Sequence, residues 1–321
     1  MLRRRNFMAV FVAVLLAAGA AQPAAAEAPR NEYRTADRGR RALWVWRSTF
    51  LEDVREQKDM LQFARKRGIR TLFLFTSTRR LRKDPELFRR FLAEAHSRKI
   101  AVQALNGMPQ WVFRHQREGV AAYLDEVLRF NQESPRHARF DGIHLDVEPQ
   151  ALPEWKSEDD PEVRQKLADR YVELLRWSQR RIRDAGIPLS VDVPLSFNSI
   201  QVKSKPMLVA ILERVDEVAL MAYLDKGPDI LSSSQSALAY AERMGKRVWV
   251  GISADPDDLP KPVGRTRPDQ QLEAMTRTLE KALQTQPSFQ GVAFHEYDHY
   301  RLAHCRSKPG CLPEPTASGS K

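Results

Sequence analysis

Short apolar, β-rich runs recur along the chain at ALWVW (42–46), TLFLF (71–75), IAVQAL (100–105), GIHLDVE (142–148), LSVDVPL (189–195), EVALMAY (217–223), VWVGIS (248–253) and GVAFHEY (291–297). Between successive runs the apolar positions change to helical spacing. DMLQFARKRG stops at Gly68, PELFRRFLAEAHSRK opens on Pro85, PEVRQKLADRYVELLRWSQRRIRDAG runs from Pro161 to Gly186, and DQQLEAMTRTLEKALQ follows near the end. Strand then helix, repeated eight times, predicts a parallel sheet covered by helices. Eight units point to an α/β fold of the closed (β/α)8 TIM-barrel type, one domain over residues 38–304, with the last helix short or absent. No GxGxxG follows the first run, which removes the main argument for an open dinucleotide-binding sheet.

The fourth run breaks the apolar pattern. In FDGIHLDVEP, strand alternation sends Ile143, Leu145 and Val147 to one face and His144, Asp146 and Glu148 to the other. The apolar set meets the helices, so the polar set points into the barrel. Such a row persists when its members are mutually paired, hydrated or functional, because burying unpartnered ionisable groups costs several kcal/mol. Asp146 and Glu148 fall at the carboxyl end of the strand, where barrel enzymes place their chemistry.

The ends and the charge add context. Residues 1–26 run from an arginine-rich start through an apolar stretch to Ala24-Ala25-Ala26, the pattern of a secretory signal peptide. Arg4-Arg5-Asn6-Phe7-Met8 is similar to a twin-arginine export signal, which ordinary secretory leaders also imitate. Export to the periplasm or outside the cell is the expectation, with 27–37 a flexible lead-in. No other stretch is apolar enough to span a bilayer. Removing a leader with three arginines and no acidic residue lowers the net charge from +11 to +8. The basic residues are spread over helical stretches without interleaved aromatics, and no nucleic-acid-binding signature is present. Cys305 and Cys311 are the only cysteines, and in an exported protein they are expected to pair within the tail 305–321. No metal-ligand spacing or cofactor motif stands out, so neither a metal nor a cofactor is expected.

The run Asp141-Gly142-Ile143-His144-Leu145-Asp146-Val147-Glu148 resembles the DGxDxDxE signature of family 18 glycoside hydrolases, the chitinase-like barrels, with His144 in place of the second Asp. Met221-Ala222-Tyr223 is similar to that family's Met-x-Tyr-Asp, with Leu224 where the Asp stands. In GVAFHEY, His295 replaces the usual Trp. The resemblance implies that Glu148 protonates the glycosidic oxygen, that Asp146 orients the substrate's 2-acetamido group, and that Tyr223 hydrogen-bonds the same group, a substrate-assisted scheme.

His144 admits two readings, a core histidine bonded to Asp146 or a cation that holds Asp146 ionised. Trp44, Trp46 and Trp111 suit either the core or stacking on sugar faces. Asn106 and Asp192 lie where a side chain reaches a bound glycan, and for Asp192 a buried structural pair fits equally. Trp155, in the polar loop QALPEWKSEDDP, is either a cleft wall or a buried anchor. The expected contacts with substrate are therefore His144, Trp46, Asn106, Asp192, Met221 and His295. The overall expectation is an exported glycosidase acting on a polysaccharide or cell-envelope glycan. Two alternatives stay open: a carbohydrate-binding barrel without catalysis, and a glycosidase that uses a different second carboxylate.

Overall fold

The computed structural model describes residues 40–156, 161–255, 258 and 267–305. Eight strands form a closed barrel: β1 (Arg40–Val45), β2 (Ile69–Phe75), β3 (Ala101–Asn106), β4 (Gly142–Leu145), β5 (Leu189–Pro194), β6 (Glu217–Met221), β7 (Arg247–Ser253) and β8 (Phe289–His295). Neighbouring strands are parallel throughout, and β8 closes against β1. A helix follows each strand: α1 (Val54–Lys66), α2 (Pro85–Ser97), α3 (Arg117–Glu133), α4 (Pro161–Ile182), α5 (Met207–Leu212), α6 (Gly227–Arg243), α7 (Pro268–Leu283) and α8 (Tyr297–Cys305). The last helix is present and short. The barrel expected from the sequence is therefore the fold.

Alternation along each strand separates two cores. Outward residues such as Ile143, Leu145, Val147, Val191 and Val193 pack under the helices in one large apolar cluster. A smaller cluster of Ala42, Trp44, Phe73, Leu105, Ala219, Trp249 and Ala293 fills the barrel itself. Around it stand buried polar side chains, among them Gln103, His144, Ser190, Asp192 and Glu217. Register aligns His144 with Ser190, and Ser190 with Glu217, so one polar row crosses β4, β5 and β6.

Several boundaries differ from the sequence reading. β4 ends at Leu145 and not at Glu148, and β6 ends at Met221 and not at Tyr223. Asp146 N–H still donates to the Asn106 carbonyl at 3.1 Å. Past it the chain turns into a short 3-10 segment at Pro149, a residue with no N–H to continue a ladder. Gly107 also crosses here: a Cβ at that position would sit 1.8 Å from the Asp146 carbonyl oxygen. The long helix stops at Ile182, and a 3-10 turn carries the chain to Gly186 at φ 63°. Among the described residues no helix is long and apolar enough to cross a membrane. The leader, the segment 27–37 and the Cys305–Cys311 pairing lie outside the described residues and side chains.

Candidate active site

The carboxyl ends of β1, β4, β5, β6 and β8 bring the expected residues to one end of the barrel. Asp146 and Glu148 follow β4 directly and are half-buried. Glu148 Oε2 accepts from Gln150 Nε2 at 2.7 Å. Asp146 Oδ1 is buried with no hydrogen-bond partner, and so is Asp192 Oδ1. The carboxyls of Asp146 and Asp192 lie close enough for each to act on the other's protonation. Burial, then the charges of Asp192 and Glu148, push the Asp146 carboxyl well above the usual carboxylate range. Burial does the same to Asp192, although Trp44 Nε1 donates to its Oδ2 at 3.2 Å.

His144 does not meet solvent. It has no exposed surface, its ring lies 4.1 Å from that of Phe73, and Nδ1 contacts Ser190 Oγ at 2.8 Å. Its Nε2 lies 2.9 Å from Asp192 Oδ2. Burial drives the imidazole down to about 4, so the ring is neutral at physiological pH. Both sequence readings of His144 are thereby revised: its close carboxylate is Asp192, not Asp146, and it is not a cation. A direct substrate contact through His144 is excluded by its burial.

Tyr223 sits just past β6, half-buried, with its ring 5.1 Å from that of His295. Burial, then the charges of Asp192, Asp146 and Glu148, raise its hydroxyl well above the ordinary tyrosine range, so it stays a donor. Trp46 is half-buried and its Nε1 donates to His295 Nε2 at 3.3 Å. Together Trp46, Tyr223 and His295 form an aromatic and imidazole surface beside the carboxyls. Met221, the last residue of β6, is half-buried at the same end.

Other expected contacts turn inward to structural roles. Asn106 spends its amide on backbone: Nδ2 donates to the Thr76 carbonyl at 2.9 Å, and Oδ1 accepts from Gly107 N at 2.8 Å. Asp192 is 2% exposed, which selects the buried pair over a glycan contact. Trp44 and Trp111 are core residues, and Trp155 is a buried anchor packed 5.6 Å from Phe197. Asp141, which opens the signature, ties strand ends together by accepting from Val102 N at 2.7 Å and pairing with His96 Nε2 at 2.8 Å. Asp141 and His96 line a cavity of about 1120 Å3, together with Asn131 and Pro188. Asp141 and Pro188 precede β4 and β5, so this cavity lies at the amino end of the barrel, where residues serve stability.

Sequence reasoning missed Tyr171 on α4. It is fully buried, its hydroxyl has no hydrogen-bond partner, and burial followed by the charges of Asp146, Asp192 and Glu148 raises it well above the tyrosine range. Nothing in a helical pattern marks one buried aromatic as lying within the field of the carboxyls. Gln103, Ser190 and Glu217 were also passed over. Their inward parity in β3, β5 and β6 was readable by the alternation that singled out Asp146. Among the described residues no His, Cys, Asp and Glu cluster suited to a metal ion is present.

No family model matches this sequence, and no curated protein matches it. Solved structures do. The chain is similar to a GH18 chitinase from Pseudoalteromonas aurantia, at 12% identity over 84% of this chain and 96% of that one, with a TM-score of 0.54. It is similar to a chitinase from Chromobacterium violaceum ATCC 12472, at 13% identity over 83% and 97% with a TM-score of 0.50. A GH113 beta-1,4-mannanase aligns at 10% identity over 82% and 89% with a TM-score of 0.52. These neighbours are glycoside hydrolase barrels, and what they share with this chain is the closed eight-stranded parallel fold.

Proposed function

We propose that this chain is an exported glycoside hydrolase that cleaves a polysaccharide or a cell-envelope glycan, one containing amino sugars. The observation that carries the reading is the pair Asp146 and Glu148 at the carboxyl end of β4, half-buried, with Asp146 Oδ1 unpartnered beside them. The barrel shared with glycoside hydrolases supports it. In this reading Glu148 is the general acid. A carboxylic acid positioned at the scissile oxygen contributes roughly 10²–10⁴-fold. Asp146 orients the reacting substituent, and the protonated Tyr223 donates to it. An oriented acetamido oxygen then attacks the anomeric carbon as the leaving oxygen takes the Glu148 proton.

Burial speaks against the use of Asp192 as an alternative nucleophile, since no substrate atom reaches a side chain 2% exposed. The exchange of a ring-stacking Trp for His295, held by Trp46 and flanked by Tyr223, favours a sugar face more polar than the one an indole would bind. The test is a screen of the purified mature protein against amino-sugar and acidic polysaccharides, with Glu148→Gln as control. Hydrolysis that disappears in the variant while glycan binding persists supports the reading. Hydrolysis unchanged in the variant removes Glu148 from the mechanism, and binding without hydrolysis by either protein favours the carbohydrate-binding alternative. Inhibition by a thiazoline-type mimic of the cyclised intermediate tests the acetamido step.

A further inference from the structure

The cavity at the amino end of the barrel has a wall that is fixed in place and positively charged. The wall is the segment between α3 and β4, which opens with a 3-10 turn at Arg136–Ala138. Asn131 on α3 brackets Phe140: Oδ1 accepts from the Phe140 N–H at 2.8 Å, and Nδ2 donates to the Phe140 carbonyl at 2.9 Å. Arg139 Nε donates to the Ser134 carbonyl at 2.8 Å. His96, near the end of α2, reaches the His137 carbonyl through Nδ1 and Asp141 Oδ2 through Nε2, both at 2.8 Å. A carbonyl only accepts, and Asp141 Oδ2 already accepts from Val102 N–H at 2.7 Å. With an acceptor at each ring nitrogen, His96 is an imidazolium and Asp141 its counter-ion. Burial works against that charge, and Asp141 and the His137 carbonyl outweigh it, so the ring's value is raised.

Asp141 is the single acid among the described residues that line the cavity, and its charge is spent on His96. Arg136 and Arg139 line the same cavity, are exposed, and meet no acidic side chain among the described residues. They stand three apart on a turn of three residues, which sends both to one side. The volume of about 1120 Å3 exceeds the roughly 300–1,000 Å3 of ordinary small-molecule sites, so there is room for an oligomer rather than a lone ion. Leu128, Ile187 and Pro188 give it an apolar side on which a sugar face can lie. Stability accounts for the hydrogen bonds of the wall and not for its two open cations.

We propose that this cavity is a second binding site, one for an anionic oligosaccharide whose carboxylate or phosphate groups are taken by Arg136 and Arg139. A planar guanidinium pairs with either group through two parallel hydrogen bonds, and two guanidiniums on one wall match charges repeated along a chain. A cationic sugar finds no open acid here, and a neutral one leaves both guanidiniums unused. The positive net charge of the chain draws such polymers to its surface. Because the cavity lies at the opposite end of the barrel from Glu148, its occupant is not the bond being cleaved. It holds the protein on an acidic matrix and leaves the other end open. The site stands on its own geometry and does not rest on the reading of Asp146 and Glu148.

The test is a 1H–15N NMR titration of the mature protein, with an oligouronate, a sugar-phosphate oligomer and a neutral N-acetylglucosamine oligomer of the same length in separate arms. At least one charged oligomer is expected to give saturable shifts in the amides of 131–141 and 185–188, and the arm that does so tells carboxylate from phosphate. Binding weakens as salt is raised from about 0.05 to 0.5 M, and the neutral oligomer leaves these amides in place. The double variant Arg136→Gln/Arg139→Gln loses at least about tenfold in affinity, since two charge-assisted contacts go. Arg136→Gln alone, whose side chain ties down no other described residue, loses at least about threefold and guards against misfolding of the double variant. The proposal is overturned if neither charged oligomer moves these amides up to about 5 mM, where a millimolar Kd would show. It is equally overturned if the neutral oligomer binds there as well as the charged ones, or if both variants bind like wild type. Every readout is binding at the amino end, so failure here leaves the Glu148 assignment to its own test.

Discussion

The interior of this barrel divides into two halves built from the same residue types with opposite accounting. Towards the amino ends of the strands, Gln103, Ser190 and Glu217 form a chain in which each side chain has found a partner. Towards the carboxyl ends, Asp146 Oδ1, Asp192 Oδ1 and His144 Nε2 are buried with no hydrogen-bond partner. A satisfied polar chain fixes a core and needs nothing more. Unsatisfied buried oxygens are costly, and each one calls for an explanation that a satisfied chain does not. The contrast teaches that buried polarity alone does not mark the site. What sets this end apart is that the incomplete groups are carboxyls standing together, whereas others, such as the Tyr123 hydroxyl and Ser178 Oγ, are scattered over the helices.

The comparison can be broken at either end, beginning with the floor. Glu217→Ala strands the donors of Gln103 and Trp249 in a site 7% exposed, and is expected to cost about 3–4 kcal/mol, lowering Tm by roughly 6–12 °C. A Tm within about 2 °C of wild type would show the floor chain to be dispensable. Next in size is a pH effect at the junction of the two halves. His144 has a folded value of about 4 against an ordinary 6.5. Above 6.5 neither state binds the proton, and between 6.5 and 4 only the unfolded chain does, so this group's contribution to stability falls as pH falls, by up to ~3 kcal/mol. Asp146 and Asp192 act oppositely in that window, because carboxyls raised in the folded state lose stability as pH rises. The measurement is therefore the difference in Tm between wild type and His144→Gln, expected to move against wild type as pH drops from 6.5 to 4. A difference independent of pH contradicts the buried, neutral imidazole.

At the mouth, Gly107→Ala places a methyl 1.8 Å from the Asp146 carbonyl and must push the two segments apart. A shift of about 1 Å in a reacting group costs roughly 10²-fold in kcat, or ~2.7 kcal/mol. Unchanged kinetics in this variant would mean that the position of Asp146 does not matter to turnover.

Much of this architecture was legible. Eight runs with intervening helical spacing specified the barrel, and the parity of GIHLDVE put His144, Asp146 and Glu148 on the inner face, where His144 is indeed found against Phe73. The same rule, applied to LSVDVPL and EVALMAY, finds Ser190, Asp192 and Glu217 on that face. What the sequence could not supply is which inward groups meet. His144 was paired with Asp146 on sequence proximity, whereas alternating residues on one strand stand side by side and the nearest carboxylate comes from the adjacent strand at 2.9 Å. Asn106 was misjudged because a side chain at the end of a strand is as able to tie down Thr76 and Gly107 as to face a ligand. Tyr171 lay beyond reach because helical periodicity marks a buried face and does not show which charges a residue on that face feels.

The central claim is that the incomplete half of the barrel performs acid catalysis on a glycosidic bond through Glu148. The measurement that tests it most directly is kcat for Glu148→Gln beside wild type on the glycan that the wild type hydrolyses, with Tm recorded on the same samples. The account predicts a fall of roughly 10²–10⁴-fold with Tm unchanged within about 2 °C. A variant that turns over at the wild-type rate would contradict it.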